Sequence, residues 1–329
     1  MKIPTMNALR FDGSGAGIEQ VRRARPAGGQ VLVRVAAVAV GRVDGEPHAG
    51  LRPVRLNAEG RRTLGRHVAG TVAAPGAGVD AWPLGRPVVL QPEVSVRGGW
   101  FLPGVEHDGG LADYIAAPEQ ALVALPDELS LSDGAGLALA ARAGSLLAHA
   151  RLSPGESVGI WGAGAAGSCA VAVARALGAA PIVAVDPGHR ARVTVRDLGA
   201  DASFDPADPS LPERLRELTG RRGLDVALHL APDPLAAEQV VAGLGPRGRG
   251  VLAGPAHRIG GLERWDGRTL SGVPPVAPDV LPLLVRLASR GRLRLPAFPA
   301  LRGGQAEAAE LLDSAVRGRS PAEPRLVTF

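Results

Sequence analysis

The stretch ESVGIWGAGAAGSCAVAVARALGAAPIVAVD (156–186) constrains the fold more than any other part of the chain. ESVGIW (156–161) reads as a buried strand, SCAVAVARALG (168–178) as a helix and PIVAVD (181–186) as the next strand. Between the first strand and the helix lies WGAGAAG (161–167), a G-x-G-x-x-G pattern built on Gly162, Gly164 and Gly167. In a chain with 45 glycines that pattern alone says little, and GRGVLA (248–253) nearly repeats it with no helix behind it. Context gives the first one its meaning. A strand precedes it, a helix follows, and the second strand ends in an acid, Asp186. Gly162 permits the tight turn, Gly164 the approach of a pyrophosphate to the backbone, and Gly167 the close packing of helix on strand. The N-terminus of the following helix then faces the phosphates, and Ala165 and Ala166, inside the glycine motif, are candidate cofactor contacts with the three glycines. The expected ligand is NAD(P)H. Asp186 would accept hydrogen bonds from the adenosine ribose and repel a 2′-phosphate, which favours NADH, whereas Arg190 and Arg192 nearby weaken that preference.

The strand–helix rhythm continues beyond this unit. ASFD (202–205), PERLRELTG (212–220), LDVALHL (224–230), a helix over 234–243 and GVLAG (250–254) alternate as a parallel sheet with covering helices would. Before it, short β-like runs alternate with Gly/Pro turns: QVLVRVAAVAV (30–40), HVAGTVAA (67–74), RPVVLQP (86–92) and LADYIAAP (111–118). A proline-rich connection (273–278), a helix near 279–290 and a terminal strand PRLVTF follow it. The expectation is an α/β protein of two domains: a β-rich domain over 1–127, a doubly wound parallel-sheet domain over 128–265, and a C-terminal segment, 266–329. A length of 329 residues agrees with two domains.

Composition removes several function classes. The single cysteine, Cys169, rules out an intrachain disulfide and any zinc site built from several thiolates. No run of 18 uninterrupted apolar residues occurs, and MKIPTMNALRF lacks an apolar signal core, so no membrane span and a cytoplasmic location are expected. The net charge of +5 comes almost wholly from scattered arginines, Lys2 being the only lysine, and there is one tyrosine. That is a poor surface for nucleic acid, which needs clustered cations and stacking aromatics.

With the glycine unit behind a β domain, the chain resembles the medium-chain dehydrogenase/reductase superfamily, which includes zinc alcohol dehydrogenases and quinone reductases. The likeness is carried by GGQVLVRVAAVAVGRVD (28–44), LGRHVAGTVAAPGAGV (64–79), DGGLADYIAAP (108–118), LSPGESVGIWGAGAAG (152–167) and the segment 223–254. It implies a GroES-like catalytic domain, a Rossmann domain, a C-terminal return to the first domain, and a homodimer acting on a small molecule. The departures are as informative. Where the resemblance implies three catalytic zinc ligands, this chain has Gly41, Arg66 and Ala138; the structural-zinc lobe is replaced by the thiol-free SVRGGWFLPG (95–104), and Val43 stands where a relay hydroxyl is expected. Glycine, arginine and alanine side chains offer zinc no lone pair, so no zinc is expected.

Candidate catalytic residues are therefore Arg66, His67 and Glu46. His67 takes the place of the family's glutamate, and a structural imidazole bonded to its surroundings is the competing role. Arg42 is carried over as a pyrophosphate contact, Asp44 as a family aspartate near the site, and Tyr114 as core packing. Without a Lewis acid, a conjugated enone, enoyl group or quinone is an easier target than an isolated ketone, because hydride addition at its β-carbon yields an enolate that a cation or N–H can meet. The expected function is a zinc-independent NAD(P)H-dependent reductase of an activated C=C bond. Trp82 and Trp100, if near a cleft, would suit a flat substrate such as an aromatic polyketide. Two alternatives stand: a zinc-free carbonyl reductase, and a redox-silent protein that uses the fold for binding or cyclisation.

Overall fold

The computed structural model describes residues 3–41, 44, 54–254, 267–301, 304–316 and 325–329. The chain divides into two compact units, one formed by residues 1–139 with 297–329 and the other by 140–296.

In the first unit β1 (Thr5–Phe11), β2 (Ala16–Arg22), β3 (Gln30–Val40), β4 (Arg62–Thr63), β5 (His67–Pro75), β6 (Pro87–Leu90), β7 (Val94–Val96), β8 (Gly99–Phe101), β9 (Tyr114–Pro118) and β10 (Leu122–Ala124) precede the helix α1 (Leu131–His149). β3 is the centre of this unit. Its apolar residues are buried on both faces, and its backbone is paired on both edges, by β5 on one and by β9 and β18 (Arg325–Thr328) on the other. β10 and β6 extend the sheet beyond β5, and β17 (Ala300–Leu301) extends it beyond β18. Two register shifts against β5, between Leu32 and Val33 and between Val35 and Ala37, bend β3 so that both halves find partners. Val31, Val33, Val35, Val38 and Val40 join Leu64, Val68, Val72 and Leu111 in one core. At about 1.5–3 kcal/mol for each fully buried aliphatic side chain, that core is the main source of this unit's stability. The C-terminal helix α7 (Gly304–Val316), which the sequence reading lacked, adds Ala308 and Leu312 to it. SVRGGWFLPG (95–104) contributes to the two-stranded β7–β8 hairpin.

The second unit carries β11 (Val158–Trp161), α2 (Ala165–Ala176), β12 (Ile182–Val185), α3 (His189–Asp197), β13 (Ala202–Phe204), α4 (Leu211–Leu218), β14 (Leu224–His229), α5 (Ala236–Gly243), β15 (Leu244–Leu252), β16 (Thr269–Ser271) and α6 (Val280–Ser289). All described pairings in its sheet are parallel, in the order β13-β12-β11-β14-β15-β16. The order reverses direction at β11, which places a crevice at the C-terminal ends of β11 and β14. β11 and β12 are buried along their whole length, as strands covered on both faces must be.

Both unit boundaries differ from the expected 127/128 and 265/266. The first turns of α1 group with the β-rich unit, where Gly134 lies against Ala69 and Leu125. At the other end β16 adds a sixth strand, and the proline-rich segment is pinned back by the Arg142 guanidinium, which donates to the Pro274 carbonyl at 2.7 Å, and by Ala277 N–H, which donates to Ser145 Oγ at 3.1 Å. These ties hold 266–296 in the parallel-sheet unit; the segment that returns to the first unit begins at Ala297.

Candidate functional site

Two local sites carry the predicted residues, one in each unit. In the parallel-sheet unit the turn after β11 needs glycine twice. Gly162 has φ +97°, and a Cβ there would lie 2.6 Å from Ala231 N, in the segment that leaves β14. A Cβ on Gly167 would lie 1.8 Å from the Gly162 carbonyl oxygen, so only glycine lets α2 pack this closely on the turn. Gly164 is exposed at the N-cap of α2 and makes no side-chain cap, and Ala165 and Ala166 open the helix. The first turn thus presents backbone N–H groups and the positive end of the helix dipole toward an anion.

Asp186 closes the turn from the side. Its Oδ2 accepts the Ala163 N–H at 2.7 Å and its Oδ1 accepts the Gly188 N–H at 2.8 Å. Each carboxylate oxygen has a second lone pair for a ribose hydroxyl. Arg192, by contrast, is committed to the protein. Its Nη1 donates to the carbonyls of Asp186 (2.6 Å) and Pro187 (2.8 Å) and pairs with Asp205 at 3.0 Å. Arg190 is exposed on α3. The Arg192–Asp205 brace carries no sequence signal, since it depends on β12 and β13 lying side by side.

His229 also escaped the sequence reading. It ends β14 opposite Trp161 and is fully buried. Its Nε2 lies 3.1 Å from the Asp233 carbonyl, and its Nδ1 has no hydrogen-bond partner. Burial pushes its pKa below the ordinary histidine value, against the opposing pull of Asp233, so the ring is neutral and Nε2 carries the proton. Cys169, in α2, is buried, and burial pushes its thiol up to about 12.

In the β-rich unit Asp44 gathers the residues that flank β3 and β5. Its Oδ2 accepts the Gly41 N–H at 3.0 Å and its Oδ1 accepts the Arg66 N–H at 3.2 Å, while its own N–H donates to the Gly41 carbonyl at 3.0 Å. Asp44, Arg66 and His67 are all buried. The imidazole Nδ1 of His67 lies 3.3 Å from the carbonyl oxygen of Ala39, its register partner on β3. With Nδ1 as donor, the ring ties the end of β3 to the start of β5. Gly65, at φ +96° and packed on Leu111, sets the turn that delivers Arg66 and His67.

Asp44 thus brings together positions 41 and 66, two of the three at which the resemblance implies zinc ligands. The third, Ala138, is buried in α1. Among the described residues no group of three or more His, Cys, Asp or Glu side chains is placed to hold a metal ion. Glu46 and Arg42 lie outside the described residues, as do Val43 and His48. Tyr114 is half-buried in β9 beneath the Arg23 guanidinium, 5.4 Å from its ring centre. Trp82 packs on the β-rich core, and Trp100 is 42% exposed on β8. No described helix is long and apolar enough to cross a membrane.

Comparison with known proteins agrees with this division of the chain. Residues 27–127 match the alcohol dehydrogenase GroES-like domain, and residues 165–262 match the zinc-binding dehydrogenase family. The chain is 28% identical to the L-threonine 3-dehydrogenase of Pyrococcus horikoshii over 74% of its own length and 73% of that protein's. It is 28% identical to the sorbitol dehydrogenase of Bacillus subtilis, with 68% of each chain covered. Its structure is similar to that of a thermostable alcohol dehydrogenase from Pyrobaculum aerophilum with cobalt and zinc bound: the TM-score is 0.82 at 25% identity, over 99% of this chain and 100% of that one. Both units match in the order that the glycine turn and the β-rich unit require. The chain belongs to the medium-chain dehydrogenase/reductase superfamily, and it is an NAD(P)-dependent oxidoreductase.

Proposed function

We propose that this oxidoreductase is zinc-independent and reduces an activated C=C bond, as in an enone, an enoyl group or a quinone. The observation that carries the reading is the Asp44 carboxylate holding the Gly41 and Arg66 backbones together. The corner keeps the layout of a ligand pair without its donors. A hydrogen atom stands at 41 and a guanidinium at 66, neither of which ligates zinc. What the corner does contain is the cation of Arg66, the group we assign to the oxygen on which enolate charge develops. The dinucleotide, when bound, supplies the hydride; the chain's glycine turn and α2 hold its phosphates, and Asp186 holds its adenosine ribose. Because the Asp186 carboxylate lies beside the turn and Arg192 is committed elsewhere, NADH is the preferred form.

A second reading is favoured by the relatives themselves. The threonine and sorbitol dehydrogenases are named for alcohol substrates, and a zinc-free carbonyl reductase would differ from the first reading only in the bond that accepts hydride. NADH oxidation measured with cyclic enones, quinones and the matching saturated ketones separates the two. Turnover of the enone after metal stripping, with the ketone inert, supports C=C reduction; turnover restored only by zinc overturns both zinc-free readings. Replacing Arg66 by Ala is expected to lower kcat on the enone by roughly 10²–10³, the usual cost of removing one oxyanion donor. Unchanged turnover would remove Arg66 from the chemistry. Flat polycyclic enones of the aromatic-polyketide type are the first substrates to try, and a homodimer is the expected assembly.

A further inference from the structure

Asp205 follows the last residue of β13, and β13 runs parallel to β12 with Phe204 opposite Val185. The strand pairing thus brings Asp205 beside Asp186, whose N–H donates to the Phe204 carbonyl at 3.0 Å. The Arg192 guanidinium, from α3, joins the two residues. Its Nη1 donates to the carbonyls of Asp186 and Pro187, at 2.6 and 2.8 Å, and to Asp205 Oδ2 at 3.0 Å. The two carbonyls orient the cation, and the Asp205 carboxylate is the partner that neutralises it. Asp205 is itself held in place, because its Oδ1 accepts the Ala207 N–H at 2.9 Å.

We propose that Asp205 is a specificity-determining residue for the dinucleotide, acting through Arg192: it holds the cation on the backbone of the Asp186 loop and cancels a charge that a 2′-phosphate would otherwise meet. The inference rests on Asp186 receiving the adenosine ribose, as proposed above, and extends it. A carboxylate at 186 repels the 2′-phosphate directly. A carboxylate at 205 withholds a guanidinium, the group best suited to pair with a phosphate, from the same loop. Discrimination against NADPH then has a repulsive element and a withheld attractive one, and Asp205 supplies the second without touching the dinucleotide. It is a positioning residue.

The test is calorimetric titration of the full-length protein with NADH and with NADPH, joined to thermal unfolding of each variant without ligand. In Asp205→Asn the one amide oxygen can keep the Ala207 N–H while the amide nitrogen faces Arg192 and accepts nothing. NADPH should bind about 5–10-fold tighter than it does to the unaltered protein, and NADH within about twofold. In Asp205→Asn/Arg192→Gln the NADPH gain should vanish, because the cation behind it is gone. Arg190 is present in every variant and so does not produce the difference. A gain that persists in the double variant would show Asp205 acting by its own charge rather than through Arg192, and would overturn the proposal. So would unchanged NADPH affinity in Asp205→Asn, or an equal loss of affinity for both dinucleotides with a lowered Tm, the mark of a carboxylate that only braces the loop. Asp186→Ser, titrated alongside, keeps the two readings apart. A shift toward NADPH there, with none in Asp205→Asn, leaves Asp186 at the ribose and takes Asp205 out of the choice; no shift in either variant removes the ribose assignment as well.

Discussion

On the proposed function, the glycine turn after β11 and the corner around Asp44 solve the same problem, positioning a reactant, with opposite means. In the turn the backbone is the instrument. Gly162 and Gly167 are there because no other residue fits, and the groups offered to a ligand are N–H groups whose direction the helix fixes. In the corner the backbone is only scaffolding. Gly41, Asp44 and Arg66 are held by three hydrogen bonds, and the proposed chemistry rests on which side chains the scaffold displays. A backbone site is hard to lose by substitution without losing the fold as well. A side-chain site can lose its donors while its frame persists, and the proposed zinc-independence reads Gly41, Arg66 and Ala138 in that way.

The difference predicts unequal penalties. The largest belongs to Gly167→Ala, because its methyl would lie inside the Gly162 carbonyl and drive α2 from β11. A loss of about 3–5 kcal/mol is expected, with NADH binding at least 100-fold weaker; urea denaturation and calorimetry measure both. A variant that is stable and binds normally would show that the turn tolerates side chains, and the contrast between the two regions would fail.

Asp44→Ala comes next. It leaves the buried Arg66 N–H and the half-buried Gly41 N–H without their acceptor, at about 1–3 kcal/mol for the buried group. Turnover should fall with stability while NADH affinity stays within about twofold, since the proposed dinucleotide contacts belong to the other unit. Asp186→Ser should do the reverse. Removing the charge while keeping a short acceptor should move the NADH/NADPH ratio of kcat/KM toward NADPH by about 10–100-fold, equivalent to about 1.4–2.7 kcal/mol. An unchanged ratio would take Asp186 out of cofactor selection.

How much was legible follows the same line. The strands at 30–40 and 67–74 match β3 and β5 nearly to the residue, because runs of valine bounded by turn residues leave little choice of period. The glycine turn was legible because steric necessity writes itself into residue type. The limits of the parallel-sheet unit were not, since β16 is three residues long and the ties from Arg142 and Ser145 are long-range. Nor was α7, whose short apolar stripe, Ala308 and Leu312, has meaning only against the core it covers. In the corner, Asp44 was visible as a family aspartate, but its two-handed grip on 41 and 66 was not, because it joins residues 22 apart through backbone groups that sequence does not show.

The smallest effect is expected at His67, the residue whose role the sequence left most open. Its imidazole already has work in the fold: Nδ1 lies against the Ala39 carbonyl, between two strands that are themselves paired there. At 3.3 Å this is a long bond, worth about 0.5–1.5 kcal/mol net. His67→Gln keeps a donor of similar reach, so stability should change by less than about 1 kcal/mol and kcat by no more than about threefold. The pH profile of kcat/KM discriminates further. A ring that only joins strands leaves the profile unmoved when it is replaced, whereas a proton donor takes one limb of the profile with it. If His67→Gln lowers kcat 100-fold, erases that limb and leaves Tm unchanged, the imidazole protonates substrate. The corner would then be a two-residue acid–cation site, and Arg66 would no longer be its sole chemical group.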